Sequence, residues 1–346
     1  MPVYKQVSIV TQAALDLKES LVNKNAVSGY AGLGSDAKMS SANLPPVAVT
    51  AHLYSGNGAD GSLIFDGTST ILGMVPSGNI YTLVRDIYPE NMTVNSGVTI
   101  KPLGYCIFVR TKLTNAGTIQ FNGSTGANGS AGVNANGGTS FTSVGTLNVS
   151  GGAGGAGRFT NGVGGTGSGS GGNNVAGSAG GDGGAGGVSG GGVGNVSASP
   201  AGTMGQIKDI GFAGRRRLLS GNSLAAPNCG GGGGGGGVNL QAGTGSSGAG
   251  GGSGGAVFII CTILDNTGGV ISADGGLGGN AVGTVDAQIG GGGGGAGGWV
   301  FVATSYVISQ GTIRANGGLS GTKFGGGSNG SPGNPGLVVT LFPTGL

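Results

Sequence analysis

The chain has 346 residues, 89 of them glycine, with 8% charged residues, 5% aromatic residues and a net charge of +3. A quarter glycine against a usual roughly 7% excludes an ordinary globular composition. The small net charge and the strongly apolar runs between the glycines exclude a flexible Gly/Ser linker or a disordered tail, which have nothing to bury.

Collagen needs glycine at every third position and abundant proline. Here there are 11 prolines, and the tracts (GGAGGAGRFTNGVGGTGSGSGG from Gly151) break the triplet often. The remaining class is polyglycine II, extended three-fold glycine helices packed side by side through backbone hydrogen bonds, an approach only glycine permits. Three cysteines, Cys106, Cys229 and Cys261, without a CxxC pair, argue against a disulfide framework and against a zinc site. Cys106 and Cys261 sit in apolar phrases and read as small buried hydrophobes. The N-terminus lacks the apolar core of a secretory signal, and no apolar run reaches a membrane-spanning length of roughly 20 residues.

Along the chain, three zones follow. In the first, residues 1–46, Val7, Val10, Ala14, Leu17 and Leu21 recur at spacings of three and four and predict a helix over 5–23. The stripe is too short for a coiled coil. Turn chemistry around Gly32, Gly34 and Ser35-Asp36 and the pair Pro45-Pro46 close the zone. Residues 47–123 hold alternating apolar runs with turns at Asn95-Ser96-Gly97 and Leu103-Gly104, which predict a small β-domain. Residues 124–346 alternate glycine tracts with strands.

One phrase recurs: CIFVRTKLTNAGTIQFNG from Cys106, VFIICTILDNTGGVISADGG from Val257 and VFVATSYVISQGTIRANGG from Val300, with a shorter echo, VGTLNVSGGAGG, from Val144. Repetition of this kind marks stacked units, each burying the face of the next. Ile119, Ile271 and Ile313 are matching inward positions, and Phe121, Ala273 and Ala315, two residues later, share their face. Gly117, Gly269 and Gly311 mark a turn before each short strand, and Asn122-Gly123, Asp274-Gly275 and Asn316-Gly317 a second turn after it. The expected fold is therefore mostly β, with an N-terminal helix, a small β-domain, and then stacked, solenoid-like strands with polyglycine II helices of unequal length between them.

Motifs for chemistry are sparse. The run Gly230–Gly237 lacks the Lys and Ser/Thr of a phosphate loop, and GxGxxG matches are what such a tract gives by chance. The one histidine, His52, has no partner pattern and reads as a half-buried strand residue. Asp60, Asp66, Asp86 and Glu90 in the β-domain read as solvated turn residues. No catalytic residue, cofactor or metal site is expected. The segment 203–228 is chemically ordinary between two glycine tracts, and its Arg215, Arg216 and Arg217 form the one dense basic cluster. With Phe212 they make a candidate loop for gripping anionic groups on a bacterial surface glycan. The same residues also read, more plainly, as a loop packing Phe212, Leu218 and Leu219 with solvated arginines. Without further basic clusters or stacking aromatics, nucleic acid is not an expected partner. The tip Gly321-Thr322-Lys323-Phe324 is a further contact candidate.

The stretch AVSGYAGLGSDAKMSSANLP, residues 26–45, resembles a segment common near the N-termini of bacteriophage tail-fibre and appendage proteins. Gly29, Ala31, Leu33, Lys38, Met39, Leu44 and Pro45 fall on that pattern, and Gly34, Ala37 and Asn43 depart from it. The glycine-rich part is similar in style to the distal tail-fibre adhesins of T-even-type phages, in which polyglycine II helices pack into a sandwich whose tip loops bind the host receptor. The resemblance implies a virion protein, a tail fibre or tail-tip component recognising a host glycan or outer-membrane receptor without covalent chemistry. It implies assembly with other virion proteins and with its own copies, a trimer being usual, through Val7, Val10, Leu17, Leu44 and Pro45. A head fibre or capsid decoration protein is the nearest alternative, and a glycan depolymerase, which would need two positioned carboxylates, the competitor of another class.

Overall fold

The computed structural model describes residues 55–130, 133–139, 141–142, 145–147, 150–161, 166–167, 232–240, 244–284 and 287–341. The chain divides into the unit Met1–Ala51 and the unit His52–Leu346, and all described residues belong to the second. The expected N-terminal helix lies outside them. The fold is mostly β, with parallel sheets.

In chain order the strands are β1 (Leu63–Phe65), β2 (Ile80–Thr82), β3 (Asn91–Val94), β4 (Thr99–Lys101), β5 (Cys106–Asn115) and β6 (Thr118–Gln120). Short strands follow: β7 (Phe141–Thr142), β8 (Ser150–Gly151), β9 (Phe159–Asn161), β10 (Thr166–Gly167), β11 (Val238–Leu240) and β12 (Thr244–Ser246). The rest are β13 (Ala256–Asp265), β14 (Val270–Ser272), β15 (Val282–Gly283), β16 (Ala287–Ile289), β17 (Trp299–Ser309), β18 (Thr312–Arg314), β19 (Phe324–Gly325) and β20 (Leu337–Leu341).

The first and second members of successive strand pairs separate into two parallel sheets, and β20 joins the first. One runs β1-β3-β5-β13-β17-β20, the other β18-β14-β6-β4-β2. The recurring phrase is in register across both: Phe258 pairs with Cys106 and Phe301, and Ile271 with Ile119 and Ile313. The sheets continue across residue 123, because β13 bonds to β5 and β14 to β6.

Alternation then decides the core. Ile107, Val109, Ile259, Cys261, Val300 and Val302 pack with Ile119, Ile271, Phe121 and Ala273 in one cluster, with Ile313 partly buried against it. Burial pushes the Cys261 thiol up to about 12, partly opposed by a hydrogen bond with Thr304, so it stays a protonated packing group. The other face of the long strands carries an aromatic row. Tyr88 stacks on Phe108, Phe258 on Phe301 at 4.8 Å between ring centroids, and Trp299 on Phe301. Where β5 and β13 turn into β6 and β14, buried asparagines link the repeats. Asn115 Nδ2 donates to Asn266 Oδ1 (2.7 Å), and Asn266 Nδ2 to the Gln310 carbonyl (2.7 Å).

The glycine tracts pack in layers through their backbones. Residues 121–129, 273–281 and 315–322, which follow β6, β14 and β18, form one layer. Gly123, Gly126 and Gly129 donate to the carbonyls of Asp274, Leu277 and Asn280, and Gly275, Gly278 and Ala281 to those of Asn316, Leu319 and Thr322, all at 2.8 Å. Residues 247–255, 290–298 and 328–336, which precede β13, β17 and β20, form a second. The tracts 151–158 and 232–237 flank it.

Residues 247–255 show the rule of this packing. Gly248, Gly251 and Gly254 donate to Gly290, Gly293 and Ala296. Ala249, Gly252 and Gly255 donate to Ala127, Ser124 and Phe121, and Ser247, Gly250 and Ser253 to Arg158, Gly155 and Gly152. Successive N–H groups thus point in three directions with a period of three. The carbonyls of this tract accept in turn from 276 and 279, from 233 and 236, and from Gly138. Such approach leaves no room for side chains: a Cβ on Gly250 would fall on the Gly233 carbonyl oxygen, and one on Gly295 on that of Gly252. Glycine content follows position: SGAGGGSGG and GGGGGGAGG in the middle, ADGGLGGNA on an outer layer, SNGSPGNPG at an edge.

On the outer layer one position of every triplet carries a side chain in all three tracts: 122, 125 and 128; 274, 277 and 280; 316, 319 and 322. Asn122-Gly123, Asp274-Gly275 and Asn316-Gly317 are not turns, as the sequence suggested; the chain runs straight on. Their side chains serve a ladder instead. Asn122 Oδ1 accepts from Asp274 N–H (2.7 Å), and Asp274 Oδ1 from Asn316 N–H (2.8 Å). Two triplets further on, Asn128 accepts from Asn280 N–H (2.8 Å), and Asn280 from Thr322 N–H (2.9 Å).

Two outcomes are expected in urea denaturation. Gly250→Ala or Gly295→Ala, which force a methyl into a backbone oxygen, lower stability by about 3 kcal/mol, whereas Ser331→Ala on the exposed edge leaves it within about 0.5 kcal/mol. Asn280→Ala, which removes the two solvent-exposed bonds that Asn280 Oδ1 accepts from the Thr322 N–H and Oγ1, costs about 1 kcal/mol. Equal effects at the central and edge positions would refute the packing rule.

Candidate functional site

At the ends of the tracts away from the two parallel sheets, the chain must reverse direction, and reversal makes antiparallel pairs. Two small sheets result, β10-β11-β16-β19 and β15-β12-β9. Val238, Ala281, Ala287 and Ile289 form their core, with Phe324 packed against it. Packing is tight at Gly283, where a Cβ would collide with the Ile289 side chain. Thr244 N–H donates to Thr284 Oγ1 (3.0 Å), Thr284 N–H to the Thr244 carbonyl (3.0 Å), and Ser246 Oγ to the Val133 carbonyl (3.1 Å). Around this core Val133, Val282, Thr284 and Lys323 are exposed. The strand cluster is therefore a braced platform whose rim side chains face solvent.

The sequence-derived candidates fall unevenly on it. Of Gly321-Thr322-Lys323-Phe324, Gly321 is buried, Thr322 is tied through its N–H and Oγ1 to Asn280 Oδ1, Phe324 is drawn into the small core, and Lys323 is exposed. Phe212, Arg215, Arg216 and Arg217 lie outside the described residues. The described residues on either side are at opposite ends of the tracts. Gly167 pairs with Val238 in the strand cluster, and Gly232 lies close to the Ala153 carbonyl at the other end. Val7, Val10, Leu17, Leu44, Pro45, His52 and Cys229 also lie outside. The rim residues Val133, Val282 and Thr284 were missed because their sequence neighbourhood reads only as glycine tract. The signal was available in the interruption GGNAVGTVDAQIGG, where the triplet glycines stop and β-branched residues begin.

The described carboxylates each close a structural bond. Asp60 holds Arg85 through both oxygens (2.6 and 3.1 Å) and the Tyr88 N–H (2.7 Å). Asp66 closes a turn, taking the N–H groups of Thr68 and Ser69 and the Ser69 and Tyr81 hydroxyls. Asp86 takes the Cys106 N–H and the Thr146 hydroxyl, and Glu90 pairs with Arg110 and Thr111. Asp265 joins β13 to β5 through Lys112 (2.8 Å), and Asp274 holds Arg314 (2.7 Å). Burial raises the Asp60 carboxyl, but the Arg85 hydrogen bond, the Tyr88 N–H and the Arg85 charge outweigh it and leave it below the usual range. Hydrogen bonds from Lys112 and Thr267 lower Asp265, and those from Ser69 and Thr68 hold Asp66 well down. Asp60, Asp66 and Asp265, held below the usual range, stay ionised and bonded at neutral pH. Among the described residues no group of three or more His, Cys, Asp or Glu side chains is arranged to hold a metal ion.

Comparison with protein-family models, with curated proteins and with solved structures found no match.

The lowered carboxylates set an acid limit. Their contribution is complete above the unfolded value of about 3.9 and is lost as pH falls through the lower folded values. The urea midpoint is expected to be flat from pH 8 to 5 and to fall below about pH 4. Asp60→Asn should lower it at pH 7 and flatten the acid drop; an equally steep drop in that variant would remove Asp60 from the account.

Proposed function

We propose that this chain is a bacteriophage virion protein, a tail fibre or tail-tip component that attaches to a host surface by non-covalent recognition. The observation that carries the proposal is the three-directional hydrogen bonding of the glycine tracts, with a braced strand cluster at their far end. The period of three, the extended chain and the close backbone approach are those of polyglycine II, and the in-register parallel strands read as coils of a solenoid. A body of this kind is cross-linked by backbone bonds and carries few ionisable groups, which suits a particle that must persist outside a cell. The resemblance of residues 26–45 to the N-terminal segments of tail fibres supports attachment to the virion or to further copies at that end. In this reading the rim of the strand cluster and, by its chemistry, the Arg215–Arg217 segment are the two candidate contacts with a glycan or an outer-membrane receptor.

The test is saturable binding of purified protein to host cells, beside a variant with residues 203–228 replaced by a short Gly-Ser linker. Loss of binding in a variant that melts like the parent supports an adhesin whose contact includes that loop. Absence of saturable binding by either protein sinks the attachment reading.

A further inference from the structure

The tract layers pass hydrogen bonds from one repeat to the next, and the last repeat ends this relay in an identifiable way. In the second layer, Gly248, Gly251 and Gly254 donate forward to 290–298, and Gly291, Gly294 and Gly297 donate forward to 328–336. The residue after each forward donor, in both tracts, donates sideways to the outer layer: Ala249, Gly252 and Gly255, then Gly292, Gly295 and Gly298. In the last tract the sideways donors are Gly330, Gly333 and Gly336, bonded to Gly321, Gly318 and Ala315. Its forward positions are therefore Asn329, Pro332 and Pro335. Six glycines stand at the forward positions of the two preceding tracts, and two of the three here are prolines, which have no N–H to give. Both prolines are exposed.

In the outer layer one of the three forward donors is captured. Its forward donors are Gly123, Gly126 and Gly129, then Gly275, Gly278 and Ala281. Asn316 is aligned with Asp274 and Thr322 with Asn280 by their ladder bonds, so the last set is Gly317, Ser320 and Lys323. The Lys323 N–H is already bound, to Asn329 Oδ1 at 2.9 Å. Two independent devices, missing donors in one layer and a captured donor in the other, thus act on the same edge.

We propose that Pro332, Pro335 and the Asn329–Lys323 bond, which remove three of the six forward donors, form a built-in stop that blunts this edge against any further glycine tract, in particular against the same edge of a second copy. An exposed row of unpaired donors is a template for pairing with another chain, and proline is a known way to blunt it. Copies of this chain therefore assemble through other surfaces.

The test uses the full chain and sedimentation velocity over a wide concentration range. Pro332→Gly, Pro335→Gly and the double variant restore one or both forward N–H groups, with a residue the equivalent positions already carry. The expected result is concentration-dependent species larger than those of the parent, increasing from the single variants to the double. The single variants keep the test decisive if the double variant is poorly folded. Variants that keep the parent's circular dichroism and melting temperature, and sediment as the parent does at every concentration, would overturn the proposal.

Discussion

The structure depends on the close approach of glycine backbones that hydrogen-bond in three directions. A strand in a sheet uses two directions and leaves its faces to side chains. Residues 247–255 use three, so the tracts are held mainly by backbone, with side-chain bonds such as those of Ser247 added to it, and the usual apolar payload is absent between the two end cores. Glycine loses more conformational freedom on ordering than any other residue, so a single tract has nothing to offset that cost. Many tracts bonded to one another do, because nearly every buried N–H finds a carbonyl.

That arrangement explains why the side-chain cores sit at the two ends. At one end the tracts enter and leave the parallel sheets, where Ile, Val and Phe side chains bury the surface that the tracts lack. At the other end Val238, Ala281, Ala287, Ile289 and Phe324 tie the reversals together. The tracts between them are held in register from both sides. A register slip of one residue would send every N–H to the wrong neighbour, so both end cores enforce the period of three.

Much of the first end was legible. The repeated phrase placed Ile119, Ile271 and Ile313 on one face, and the strands pair them. Phe121, Ala273 and Ala315 are buried on the same side, and Cys106 and Cys261 are buried hydrophobes. Asn122-Gly123 and its equivalents misled, because an Asn-Gly pair has the same composition whether it turns or extends; only the neighbouring tract's N–H decides, 152 residues away for Asn122 and 42 for Asp274. For the same reason the buried ladder of Asn115 and Asn266 had no local signature. The strand cluster was hidden because its strands are two or three residues long, too short for any alternation to register.

The triplet code also carries more information than glycine abundance suggests. An interior tract cannot hold a side chain on any of its three faces, apart from small ones such as Ser247, Ala249 and Ser253. An outer tract can hold one per triplet, as at Asp274, Leu277 and Asn280. The last tract holds two, as at Ser331-Pro332 and Asn334-Pro335. The number of non-glycine residues per triplet is thus a count of the faces left open, set by the same Cβ-to-carbonyl exclusion at every position. Read this way, the sequence distinguishes centre, face and edge of the array without reference to hydrophobicity, the signal on which such reading usually rests. It also follows that side-chain chemistry can be added to this molecule only where a tract faces outward or stops. Among the described residues those are the ladder face, the terminal edge and the strand cluster, and of these the strand cluster alone brings chain reversals together, which is why it is the surface we propose for recognition.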